Sequence, residues 1–230
     1  MASPLTLVYF KLRARGEAVR MVARYSGVPV AEEIVELEEW PALKPTMPKG
    51  QLPVLRLSDG SLMPESVDIA LFLARQPIAT RQLVTDEASV SLLTWCAEPP
   101  ISMASPLLNW FDKDDAAAKL GPYLEEARPL IAERDAELQA SAGPFFAGES
   151  PGVGDFGLFH IASNIEMLGH IGRDDASIWQ EWQLSSKWMD WLSAIAALPG
   201  VQEYLAERPK TGVGAMGKPG SLASTTVLDH

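Results

Sequence analysis

The pattern of the chain changes once, near residue 80, and that change limits the fold more than any other feature of the sequence. Before it, strand-like and helix-like segments alternate. LTLVYF at 5–10 is rich in β-branched and aromatic residues and predicts a strand. RGEAVRMVARYSG follows, with Val19, Val22 and Ala23 at helical spacing and a glycine at its end. AEEIVELEEW alternates apolar and acidic residues around Ile34, Val35 and Leu37 and predicts an edge strand. LPVLRL predicts a third strand, and Asp59-Gly60 a two-residue turn before SLM. SVDIALFLARQ closes the unit as a helix. From residue 87 to about 208 the reading is helix throughout, with no convincing strand. The expected fold is therefore an α/β unit at 1–80, a boundary within 77–86, an all-helical unit at 87–210, and a tail at 211–230. That tail is rich in Gly, Ser and Thr and is expected to be flexible.

Two local features of the α/β unit suggest what it binds. Pro53 opens a strand, where a proline cannot donate to the ladder. A cis Leu52–Pro53 bond is expected there, turning the N–H and C=O of Leu52 toward a cleft, free to pair with an extended peptide. Downstream, Glu65 and Ser66 stand at the start of a helix, with Ser66 a favoured N-cap. The first amides of a helix suit a carboxylate. A backbone clamp beside a carboxylate pocket fits a small peptide with a free carboxylate.

Charge and cysteine usage narrow the partners. A net charge of −11 disfavours nucleic acid and anionic membrane surfaces. Apolar runs fall far short of the ~20 residues of a membrane helix. The single cysteine, Cys96, excludes an internal disulfide framework and any CxxC redox pair. Three scattered histidines outline no zinc site. MASPLTLVYF shows no basic and apolar leader, so the expected location is cytoplasmic. Arg13 and Arg20 are expected to pair with Glu17 or neighbouring acids, and His160 and His170 to pack or lie on the surface.

Three stretches, in this order and spacing, carry a family resemblance: YFKLRARGEAVR, EWPALKPTMPKGQLPVL and PESVDIALFLA. They resemble the cytosolic glutathione transferases, and WPALKPTMPKGQLPVL is most similar to the sigma class, which includes the glutathione-dependent prostaglandin D synthases. LPGVQEYLAERPKTG also looks sigma-like. The resemblance covers nearly the whole chain to residue 210. It implies a thioredoxin-like N-terminal domain followed by the family's all-helical domain.

Carried over residue by residue, the resemblance implies a glutathione site. Tyr9 would donate its phenolic proton to the glutathione sulfur and favour the thiolate, the nucleophilic form. Arg15 would add positive charge near the sulfur. Trp40 and Lys44 would hold the glycine end, Gln51, Leu52 and Pro53 the backbone clamp, and Glu65 and Ser66 the γ-glutamyl pocket. Phe10, Met103, Leu107 and Trp110 would line the electrophile pocket. Glutathione is implied as co-substrate, with no metal, and a homodimer is implied as the assembly. The chain departs from the family at two places. The Ser/Thr-x-x-Asp box that starts a buried helix reads GVGD here, with Gly152 at the cap position. Asp155 is expected still to bind backbone amides, with help from Ser150. The acids common on the first long helix of the second domain are reduced to Glu98, a candidate for the glutathione amine contact, followed by Pro99-Pro100. The implied function is glutathione conjugation to small hydrophobic electrophiles. The alternatives are a prostaglandin-type isomerase using the same site and a non-enzymatic, crystallin-like relative.

Overall fold

A computed structural model describes residues 4–98, 113–169 and 177–208. Strand β1 (Leu5–Tyr9) is followed by helix α1 (Ala14–Ser26), strand β2 (Val30–Ile34) and a short helix α2 (Trp40–Leu43). Two single 3₁₀ turns, Lys44–Thr46 and Pro48–Gly50, lead to strands β3 (Val54–Arg56) and β4 (Leu62–Pro64) and helix α3 (Ser66–Ala74). The remaining described elements are helices: α4 (Glu87–Cys96), α5 (Lys113–Ala140), α6 (Val153–Gly169), α7 (Ile178–Glu181), α8 (Ser186–Ala196) and α9 (Val201–Glu207). The sheet order is β2-β1-β3-β4, with β1 and β2 parallel and the other pairs antiparallel. This is the thioredoxin-like arrangement. Among the described residues, only isolated bridges follow β4.

Alternation along β1 sorts its side chains between two faces. Leu7 and Tyr9 belong to the large core shared with α1 and α3. Val8 is turned the other way and pairs in register with Val54, and both are fully buried. The second strand runs earlier than its apolar residues suggest, because its register is set by β1: Leu5 faces Val30 and Tyr9 faces Ile34. Val35 then follows the strand, and its N–H still reaches the Tyr9 carbonyl at 2.9 Å. The expected two-residue turn at Asp59-Gly60 is in fact a three-residue connection. Leu57 donates to Ser61 O, and Gly60 takes the left-handed position that a three-residue hairpin needs. Asp59 Oδ1 accepts from both the amide and hydroxyl of Ser61.

One apolar cluster runs from the sheet into the helices. The rings of Tyr25 on α1 and Phe156 on α6 meet at 5.7 Å. Helix α6 is buried almost along its entire length, which explains why its sequence shows no polar stripe. Its N-terminus departs from the expectation for Ser150. Asp155 accepts from Phe146 N–H (3.0 Å), Gly152 N–H (2.8 Å) and Trp191 Nε1–H (2.8 Å), as a folding element should. The hydroxyl acceptor comes from α4, however: Ser89 Oγ accepts from Gly154 N–H at 3.0 Å. A Cβ on Gly152 would stand 2.2 Å from that oxygen, so glycine is needed there to let Ser89 in.

Candidate functional site

Eight of the sequence-derived residues line one cleft of about 310 Å³: Arg15, Trp40, Lys44, Gln51, Leu52, Pro53, Glu65 and Ser66. Each side is built by a different element. Arg15 comes from the first turn of α1, and its Nη2 donates to Ala97 O at the end of α4, 3.3 Å away. Trp40 begins α2 and Lys44 the next turn. The stem of Lys44 runs past Gly50, whose missing Cβ would lie 3.4 Å from it. The Leu52–Pro53 bond is cis, as expected.

At the far side, Glu65 is the cap residue of α3 and Ser66 its first helical residue, so Ser66 does not cap the helix as the sequence suggests. Glu65 holds φ at 70°, a left-handed value that a non-glycine side chain rarely adopts and that often marks a ligand site. Its carboxylate is paired with Lys49 Nζ at 2.6 Å, an exposed bond that raises the lysine pKa. The sequence reading did not anticipate that pair.

Tyr9 does not line the cleft. Its ring is 5 % exposed and lies against α1, in space that exists because residue 16 is glycine. A Cβ there would fall 2.5 Å from Tyr9 Cδ1. Burial pushes the phenol up to about 12. Arg20 and Arg15, with the backbone amides of Arg15 and Gly16, pull the other way. Those amides place the hydroxyl at the Arg15 end of the cleft. Phe10 stands between the two: its ring centroid is 5.8 Å from Tyr9 and 5.5 Å, edge-on, from Trp40. The other residues assigned to the electrophile wall, Met103, Leu107 and Trp110, lie outside the described residues, as do Pro99, Pro100, His170 and the 211–230 tail. Glu98 is exposed at the end of α4, next to the Ala97 carbonyl that Arg15 holds.

A larger depression, about 360 Å³, lies between α1 and β2. Its floor is apolar (Leu7, Val19, Ala23, Val28), and its charged rim is already paired, Arg20 with Glu32 and Arg24 with Glu207. In the smaller cleft Glu65 and Arg15 also have partners, but Lys44, Gln51 and Ser66 offer side chains with no partner among the described residues.

The N-terminal part of the chain is similar to the glutathione S-transferases. Residues 16–76 match the family model described as glutathione S-transferase, N-terminal domain. A probable glutathione S-transferase 8 of Caenorhabditis elegans is 42 % identical over 85 residues, 37 % of this chain and 41 % of that relative. Glutathione S-transferase 1 of Ascaris suum is 28 % identical over 218 residues, 89 % of this chain and 97 % of that protein. The solved sigma-class transferase of Fasciola hepatica superposes with a TM-score of 0.72 at 25 % identity, covering 92 % of this chain and 99 % of that one. Among the described residues of this chain, no group of His, Cys, Asp and Glu is placed to hold a metal ion, and no helix is long and apolar enough to cross a membrane.

Behind the site lies a buried polar cluster that the sequence showed only in part. Arg20 does meet acids, Glu32 at 3.1 Å and Glu17 at 4.0 Å. Glu17, with 0 % exposure, is bound from the far end of the chain by Tyr204 Oη (2.6 Å) and Arg208 Nη1 (2.7 Å). Burial alone would raise the Glu17 pKa, but Arg208, His160 and Arg13 and the Tyr204 hydrogen bond outweigh it and hold it below the usual range. The only local signal was the i, i+3 spacing of Glu17 and Arg20. Nothing near them announces partners 187 and 191 residues away.

His160 of α6 faces the same cluster, packed as expected, with Nε2 3.3 Å from Asn164 Nδ2. Burial, aided by Arg13, Arg208 and Arg20 and opposed by Glu17, lowers its pKa from 6.5 to about 4. The folded chain thus keeps the ring neutral where the unfolded chain protonates it. Its stabilising effect is present above pH 6.5 and is lost as pH falls toward 4. The loss amounts to about 3 kcal/mol. Urea unfolding across that window should show it, and His160→Gln should flatten that part of the pH dependence.

Proposed function

We propose that this chain binds glutathione in the 310 Å³ cleft and conjugates it, as a thiolate, to small hydrophobic electrophiles. The observation that carries the reading is the meeting of two cations, Arg15 and Lys44, with the Gln51–Pro53 backbone and the start of α3 in one cleft. A peptide with a carboxylate at each end finds a partner at each end there: Lys44 for the glycine carboxylate, Ser66 and the α3 amides for the γ-glutamyl carboxylate. Glu65 would take the ammonium and Leu52 the peptide backbone. Tyr9, a phenol protonated at neutral pH with its pKa raised further by burial, would donate to the sulfur at the Arg15 end. Residues 1–80 would form the glutathione-binding domain, 87–210 the helical domain bearing the electrophile pocket, and 211–230 a tail. The homodimer and cytoplasmic location usual for such enzymes belong to the same proposal.

Titration calorimetry with glutathione and with S-methylglutathione, followed by conjugation of a chloronitrobenzene, tests it. Binding of both ligands with saturable turnover is the expected result. Lys44→Ala and Ser66→Ala should each weaken both ligands. Absence of binding at millimolar ligand in the folded chain would defeat the reading.

A further inference from the structure

Arg20 has no part in the cleft, yet it touches the thiol end of the site from behind. Its Nη1 donates to Leu12 O at 2.5 Å and its Nη2 to Phe10 O at 3.4 Å. It therefore holds two carbonyls of the turn that leaves β1 at Tyr9. Its guanidinium carbon lies 5.6 Å from the centre of the Tyr9 ring. Its Nε is 3.1 Å from both carboxylate oxygens of Glu32 on β2. Beyond it stands Glu17, whose oxygens are taken by Tyr204 and Arg208 of the C-terminal helical segment. Arg20 is 9 % exposed and Glu17 not at all, so water is kept from the bonds on that side, while Glu32 is 39 % exposed.

We infer that Arg20 is a positioning residue for the thiol-activating Tyr9, and that Glu17 couples it to helix α9. This rests on the glutathione reading above. Two effects act together. The carbonyl contacts fix where the turn presents the phenol. The buried cation makes that phenol a stronger donor to a thiolate, since a positive neighbour favours negative charge on or beside the ring oxygen. The charged and titratable groups that set the local field are Arg13 just before α1, Arg15, Glu17 and Arg20 on α1, Glu32 on β2, His160 on α6, and Tyr204 and Arg208 at the C-terminal end. A shift of α9 would pass to Arg20 through one desolvated carboxylate.

The test compares the full-length protein with Arg20→Lys and Tyr204→Phe, all shown to be folded by circular dichroism. Three quantities are measured: the pH dependence of thiolate absorbance for bound glutathione, kcat/KM across pH, and affinity for S-methylglutathione, which has no thiol. Arg20→Lys should lower kcat/KM about tenfold at mildly acidic pH, below the ~10²-fold that a 1 Å misplacement can cause. The deficit should shrink at alkaline pH, where the thiol ionises without help, and S-methylglutathione should bind as before. Tyr204→Phe should shift the thiolate titration the same way by a smaller amount. A pH-independent deficit, or an equal loss of S-methylglutathione affinity, would make Arg20 merely structural. An unchanged titration in Tyr204→Phe would remove the coupling to α9. If the unmodified protein binds neither ligand, the glutathione reading itself fails, which is a separate outcome. Should Arg20→Lys not fold, Tyr204→Phe and Arg208→Lys decide the matter through the same titration.

Discussion

Tyr9→Phe is expected to lower kcat/KM for glutathione conjugation about 10²-fold, the scale seen when one preorganised donor to a developing negative charge is removed. Affinity for glutathione should barely change, because the cleft that would grip the tripeptide does not include Tyr9. Phenylalanine keeps the ring that fills the space beside Gly16 and Arg20, so the variant loses only the hydroxyl. With the phenol held protonated, its pKa raised to about 12 by burial, the native residue acts as a donor across the physiological range. Without that donor the bound thiol should titrate near its ordinary value of about 8.5. Stopped-flow absorbance of the bound thiolate against pH checks this directly. An unchanged titration would take Tyr9 out of the mechanism and leave Arg15 and the α1 amides as the source of activation.

Asp155→Ala is expected to lower folding stability by on the order of 4 kcal/mol. The carboxylate is fully buried and receives three donors, two from the backbone before α6 and one from the indole of Trp191. Each donor left unpaired in a dry core costs about 1–3 kcal/mol. The indole is the most exposed to this loss, because Trp191 is packed against Trp188, Phe146 and Phe159 and has no route to water. Asp155→Asn keeps one acceptor oxygen and should fall between Ala and the native protein. Urea unfolding measures all three, and a loss below about 1 kcal/mol in Ala would contradict the assignment of Asp155 as the tie between α6 and the tryptophan cluster.

What the sequence revealed and what it hid divide along a physical line. Strand β1, helix α1 and the β3–β4 hairpin were legible because their apolar periods and their ending glycines act within a few residues. Trp40, Lys44, Gln51, Leu52 and Pro53 were singled out by the family resemblance, and because they come from one short stretch they meet along one cleft. The end of β2 was missed because pairing with β1 decided it, not the apolar residues of the segment itself. Ser66 was misplaced by one residue because Glu65 takes a positive φ before α3, a conformation that propensity argues against. Lys49–Glu65, Ser89–Gly154 and Glu17–Tyr204 escaped notice because each joins segments far apart in the chain. A side chain's partner across such distances is a property of the fold.

The hydroxyl that Ser89 lends to α6 bears on the order in which the chain comes together. A helix that carries its own capping serine can begin winding as soon as its residues leave the ribosome, since donor and acceptor are three positions apart. Here the acceptor sits 65 residues upstream of Gly154, on a different helix. The start of α6 is therefore completed only when α4 has docked, and a loop must close first, with its entropy lost before the contact forms. A signal that is usually local has become a long-range contact, of the kind that slows folding and sharpens its cooperativity. The last bond at the beginning of this protein's central helix thus depends on contact with another helix rather than on its own sequence.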